Sequence, residues 1–185
     1  MKVNFNSVFL ATMLIFSTTL MAQNNLNILE SSLKWEGKKI TGSGHNGSLN
    51  FTKSSELNVQ DGNIISGVFN VDMTSITCDD LTGKGKQRLE GHLKGGDFFD
   101  VDKFNTASLT IDSVEGNIAK GALTIKGISN PIEFKLMKNK DGYTADLVFD
   151  RSIYEVKYAS GSFFENLGDK LILNEVELSA QLKLK

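Results

Sequence analysis

Ile65-Ser66-Gly67-Val68-Phe69-Asn70-Val71-Asp72-Met73-Thr74 decides how this chain folds. Ile65, Gly67, Phe69, Val71 and Met73 hold the odd positions, and Ser66, Asn70, Asp72 and Thr74 hold even ones. A strand repeats every two residues, so this alternation turns one face to a core and the other to water. The same pattern recurs on both sides. Upstream it gives Leu33 with Trp35, and Leu49 with Phe51. Downstream come Leu109 with Ile111, then Ala119, Gly121, Leu123 and Ile125, and, with parity changed after Pro131, Ile132, Phe134 and Leu136. Tyr143, Ala145, Leu147 and Phe149 follow, and Val176, Leu178, Ala180, Leu182 and Leu184 close the chain. That is about eight strands.

Short turn signals separate them: Asp61-Gly62-Asn63, Glu115-Gly116-Asn117, Gly127 to Asn130, and Asn139 to Gly142. Connections this short make hairpins, and the absence of long helical crossovers argues for an antiparallel sheet. Such a sheet either stacks as a sandwich or closes on itself. Closure removes both edges and, at about eight strands, leaves room for side chains or one small ligand. The expected fold is therefore all-β, an antiparallel eight-stranded barrel. Gly67, Ala119, Gly121 and Ala145 fall on the inward parity. They either leave a channel between the large residues or relieve crowding at bends.

One segment breaks the pattern. Leu89 to Phe104 reads LEGHLKGGDFFDVDKF. Leu89 and Leu93 are four apart beside Arg88, Glu90 and Lys94, which suits a short helix with one apolar edge. Gly95 and Gly96 end it, and Phe98 and Phe99 stand between Asp97 and Asp100 where a plain connector would be polar. The segment reads as a helix followed by an apolar lid.

Met1 to Ala22 reads as a secretory signal: charged Lys2, an apolar run from Val8 to Met21, then small Ala22 before Gln23. The run is short for a bilayer and broken by Ser17 to Thr19, which disfavours an uncleaved anchor. Residues 23–185 then form one domain of a periplasmic or secreted protein, with no integral membrane segment after cleavage. The net charge of −2 and the lack of a basic cluster argue against nucleic acid. Cys78 is the sole cysteine, so an internal disulfide is impossible, and a small apolar role is the simplest one for it.

Catalytic and metal chemistry find little support in these motifs. His45 and His92 are the only histidines, and neither lies in a motif supplying a nucleophile and an orienting acid. Two separated histidines and one cysteine fall short of a zinc pattern. Gly83-Lys84-Gly85-Lys86 reads as a solvated loop and Asp79-Asp80 as a polar turn. The sequence is thus read as a non-enzyme with neither metal nor cofactor.

Four blocks together resemble the YceI-like, polyisoprenoid-binding family. They are Val68 to Ile76 (VFNVDMTSI), then Gly91 to Lys94 leading to Asp97-Phe98-Phe99-Asp100, then Gly121 to Ile128 (GALTIKGI) with Pro131-Ile132, and last Arg151 before Tyr154-Glu155-Val156. The resemblance implies an exported, lipocalin-like barrel that holds an isoprenoid or fatty amphiphile in an apolar pore without chemistry. In this chain the pore wall would come from Phe51, Phe69, Val71, Leu109 and Ile111, and across the barrel from Leu123, Ile125, Phe134, Leu147 and Phe149. Leu93, Phe98, Phe99 and Phe104 would line and gate its mouth. His45 and His92 either meet a polar head there or satisfy local backbone groups. Arg88 and Arg151 are candidates for an anionic head, and a buried Arg151 would need an acidic side chain or the ligand as partner. The competing readings are a packed scaffold module and an enzyme using the Cys78 thiol; a homodimer is compatible with all three.

Overall fold

The computed structural model describes residues 26–185, so the signal reading of Met1 to Ala22 lies outside the described residues. Nine strands follow one another: β1 (Ser32–Lys39), β2 (Gly44–Phe51), β3 (Glu56–Gln60), β4 (Asn63–Cys78), β5 (Thr106–Glu115), β6 (Ile118–Ile125), β7 (Ile128–Asn139), β8 (Gly142–Asp150) and β9 (Ile172–Lys183). One helix, α1 (Gly83–Lys94), joins β4 to β5. The sheet runs β2-β1-β9-β8-β7-β6-β5-β4-β3, all pairs antiparallel, and a further β2–β4 pairing closes it.

The result is the expected eight-stranded closed barrel, because β2 and β3 share one stave. The first half of the long β4 pairs with β3, from Glu56↔Val68 to Gln60↔Asn63. Its second half pairs with β2, from Phe51↔Val71 to Gly47↔Cys78. No strand is expected at β3 from the sequence, since only Leu57 and Val59 carry its alternation, yet both are buried.

Two hairpins are tight two-residue turns with both central residues at positive φ, the twist that antiparallel strands favour. Asp61-Gly62 (φ 51 and 72) links β3 to β4, and Lys126-Gly127 (φ 51 and 74) links β6 to β7. The second corrects the expected turn at Gly127 to Asn130: Ile128 already pairs with Ile125, so β7 starts there.

The parity of β4 also slips. Asn58 pairs with Ser66 but Val59 with Ile64, so Ile65 is the extra residue of a bulge; Ile64 takes the inward place expected of Ile65. A larger irregularity lies between Ser48↔Thr77 and Asn50↔Asp72. Asp72 supports it, accepting at Oδ1 from the amide and hydroxyl of Thr74 and at its carbonyl from Ser75 Oγ. Beyond it the even positions Ile76 and Cys78 face inward.

The two barrel ends differ. At the end carrying the β3–β4, β5–β6 and β7–β8 hairpins, Leu57, Ile64, Ile111, Phe134, Leu136 and Leu182 fill the interior. Tyr143 stitches this end shut, its hydroxyl donating to Gly62 O (2.9 Å) and accepting from Ile64 N (3.2 Å). Of the two meanings open for the inward small residues, crowding is the one realised at Gly67 and Gly121. A Cβ on Gly121 would lie 1.8 Å from Thr110 O, and one on Gly67 2.7 Å from both Glu56 O and Leu57 Cδ2. Ala119 is wholly buried.

The opposite end is covered by α1 and the lid. Gly83 to Lys86, expected as a solvated loop, is the first turn of α1, which Lys86 and Glu90 brace by an i,i+4 ion pair at 3.6 Å. Glu90 Oε1 also accepts from the Cys78 amide at 3.0 Å, tying the helix to the end of β4. Leu93 and Phe98 are buried beneath.

Candidate functional site

A cavity of about 170 Å³ lies under the lid, in the lid half of the barrel only. This is an order of magnitude beyond the roughly 10–15 Å³ that one water needs, and comparable to the ~150 Å³ of an apolar cavity that takes benzene. Its roof is Leu89 and Leu93 of α1 with Phe98 and Phe99 of the lid. The walls are strand residues such as Trp35, Leu49, Ala107, Leu123, Leu147 and Val176, so the lining is almost wholly apolar. Arg151, His45 and Ser108 are the polar residues that border it, Ser108 at the outward parity of β5.

Arg151 is buried at the start of a short 3₁₀ turn, Arg151–Tyr154, between β8 and β9. Its guanidinium donates to three backbone carbonyls: Nη1 to Val156 O (2.8 Å), Nε to Leu173 O (3.1 Å) and Nη2 to Ile172 O (3.1 Å). Of the two partners expected, an acidic side chain or a ligand, no acidic side chain pairs with it among the described residues; carbonyls at the turn and at the start of β9 take that place. Phe98 adds a ring face with its centroid 5.9 Å from the guanidinium carbon. Burial pushes the arginine's pKa down, with Asp150 opposing, yet a guanidinium stays protonated. Three of its five N–H groups are used here, so a buried cation with donor capacity to spare stands in the cavity wall.

At the rim the β2–β4 pairing makes a polar cluster that the sequence did not announce. Gly47↔Cys78 brings His45 beside the end of β4, where its Nδ1 donates to Asp80 Oδ2 at 2.9 Å. The buried Cys78 thiol donates to Asp80 Oδ1 at 3.0 Å, and the Asn46 amide donates to the same oxygen. The thiol first, then His45 and Asn46, hold the Asp80 carboxyl well below its ordinary range, at about 2. Burial, then the bond to Asp80, pushes the Cys78 thiol up. Cys78 therefore faces a carboxylate rather than acting as a plain apolar residue.

Of the expected wall residues, Phe51, Val71, Leu109, Leu123, Ile125, Leu147 and Phe149 line the cavity, as do Leu93, Phe98 and Phe99 of its roof. Phe69, Ile111 and Phe134 do not: they belong to the filled part of the core, Phe69 with its ring centroid 5.7 Å from that of Phe51. Phe104 is not part of the gate, since the chain turns outward after Val101 and its ring lies over Gly127, 3.5 Å from where a Cβ would be. Among the head-group candidates, His45 and Arg151 reach the cavity. Arg88 is exposed on the outer face of α1. His92 stacks outside, edge-on to Phe98 (centroids 5.3 Å) and Tyr158 (4.2 Å), and so braces the lid from above.

A family model for the YceI-like domain matches residues 25–184. This chain belongs to the YceI-like family. A run of 50 residues is 44% identical to a UPF0312 protein of Staphylococcus aureus strain N315, covering 27% of this chain and 29% of that relative. The matched run is thus less than a third of the curated relative's length. Among solved structures, BcnA of Burkholderia cenocepacia superposes with a TM-score of 0.62 at 18% identity, over 85% of this chain and 98% of that one. A polyisoprenoid-binding domain from Saccharophagus degradans, implicated in plant cell wall breakdown, gives 0.58 at 13% identity, over 89% and 98%. At such identities the likeness establishes the shared barrel. No helix among the described residues is long and apolar enough to cross a membrane.

Proposed function

We propose that this YceI-like barrel binds the tail of an isoprenoid or other long-chain amphiphile, such as a polyprenol, an isoprenoid quinone or a fatty amide, and carries or stores it unchanged. The observation that carries this reading is the apolar cavity closed over by Leu93, Phe98 and Phe99, with one buried guanidinium in its wall. Burying about seven carbons there would contribute roughly 5–6 kcal/mol before ordering costs, enough for useful affinity with few polar contacts. A longer tail would extend out past the roof, where Leu89 and Phe99, both half-buried, are the less anchored members. Arg151 would then meet the head through a carbonyl, hydroxyl, carboxylate or phosphate oxygen. The binding, non-catalytic reading rests on the lining, which is almost wholly apolar. We further propose that the protein works outside the cytoplasm, on the strength of the charged and apolar start Lys2 to Met21.

Protein purified from its native envelope and flown intact in native mass spectrometry should carry an added mass that organic extraction removes and identifies as an amphiphile. A chain that is always empty and takes up neither prenols, quinones nor fatty amides would contradict the proposal.

A further inference from the structure

The rim cluster supports a site of a different kind. His45 Nδ1, Cys78 Sγ and an Asp80 carboxylate oxygen all lie within 4.8 Å of one another. We propose that these three side chains bind a zinc-type divalent cation at the rim of the cavity, with a fourth position left to water or a ligand's head group. A tetrahedral zinc with bonds of about 2.0–2.3 Å holds its ligand atoms roughly 3.3–3.8 Å apart, so donor atoms that already lie within 4.8 Å of one another need move by no more than about 1.5 Å to surround it. Nitrogen, sulfur and oxygen donors together suit a borderline-soft cation and not the hard cations that favour oxygen alone.

The triad is held rigidly, as a metal site requires. His45 and Cys78 sit on hydrogen-bonded strands, with Gly47 opposite Cys78 and the Asp79 amide donating to Asn46 O at 2.9 Å. Glu90 fixes the Cys78 amide, and Asp79 is fixed by Ser48 and Thr77 hydroxyls. The side chains of His45 and Asp80 are 39% and 30% exposed, which leaves an entry path from solvent to the buried sulfur. On binding, the thiol S–H bond breaks, sulfur forms its bond to the cation and one proton leaves to solvent; His45 moves its proton from Nδ1 to Nε2 and ligates through the freed lone pair.

Cobalt(II) is the probe, because thiolate-to-cobalt charge transfer reports sulfur ligation directly. The full chain, stripped with chelator and kept reduced, should take up one cobalt per chain with a near-ultraviolet charge-transfer band that zinc abolishes. Cys78→Ser should lose the band, and His45→Ala and Asp80→Asn should each weaken cobalt binding by at least about tenfold. Cobalt saturation without that band would overturn the proposal. Should Cys78→Ser fail to fold, the two rim variants decide alone: unchanged cobalt affinity in both would overturn it equally.

Discussion

Arg151→Ala should lower folding stability by about 3–5 kcal/mol, the largest loss expected of any single side chain considered. Its side chain is 1% exposed and serves the carbonyls of Val156, Ile172 and Leu173, which join the turn after β8 to the start of β9. Each carbonyl left unpaired in the interior costs about 1–3 kcal/mol, and water entering the emptied space relieves part of the sum. The phenyl ring of Phe98 would also lose the cation above it. Arg151→Lys should recover only part of the loss, because a compact ammonium cannot span three carbonyls that a planar fork reaches together. Urea unfolding at unchanged slope, with the midpoint moved down, is the measurement; a loss under about 1 kcal/mol would show that these bonds do not hold the lid end.

Ala107→Phe should do the reverse, leaving stability within about 1 kcal/mol while cutting amphiphile affinity at least tenfold, or about 1.4 kcal/mol. Ala107 is a small residue of the cavity wall, on β5 opposite Val71. An apolar space of about 150 Å³ accepts a benzene ring, so a phenyl group placed here takes up much of the 170 Å³ available. In a packed core the same change would strain its neighbours, but here it replaces empty space. Displacement of a fluorescent fatty probe measures affinity, and thermal unfolding of the same samples measures stability. Equal affinity in the variant and the parent would place the ligand elsewhere; a large stability loss would mean that the cavity has no such room.

The barrel was legible because alternation over β4 to β9 is a strong local signal and the turn residues punctuate it. What stayed hidden depends on register and on contacts across the sheet. The bulge at Ile65 inverts parity for two residues without changing composition, so Ile64 and Ile65 look interchangeable in sequence. The inward Gly67 and Gly121 leave a channel and crowding equally open, because an inward position does not reveal how near the next strand's carbonyl lies. The lid is visible as the paired phenylalanines, although sequence proximity groups Phe104 with them and only Phe98 and Phe99 turn inward over the cavity. His45, Cys78 and Asp80 are brought together by the β2–β4 closure, which sets His45 beside residues more than thirty positions further along the chain. A polar Asp79-Asp80 pair directly after an inward Cys78 was the available hint.

The central claim is that a tail enters the lid half of the barrel and leaves the other half untouched. Methyl-resolved NMR of the full chain titrated with farnesol tests it most directly. The account predicts shifts at Leu123, Ile125 and Leu147, which line the cavity, and none at Leu57, Ile64 and Leu136, which fill the closed end. Shifts confined to exposed methyls, or the closed-end methyls moving as much as the cavity ones, would contradict it.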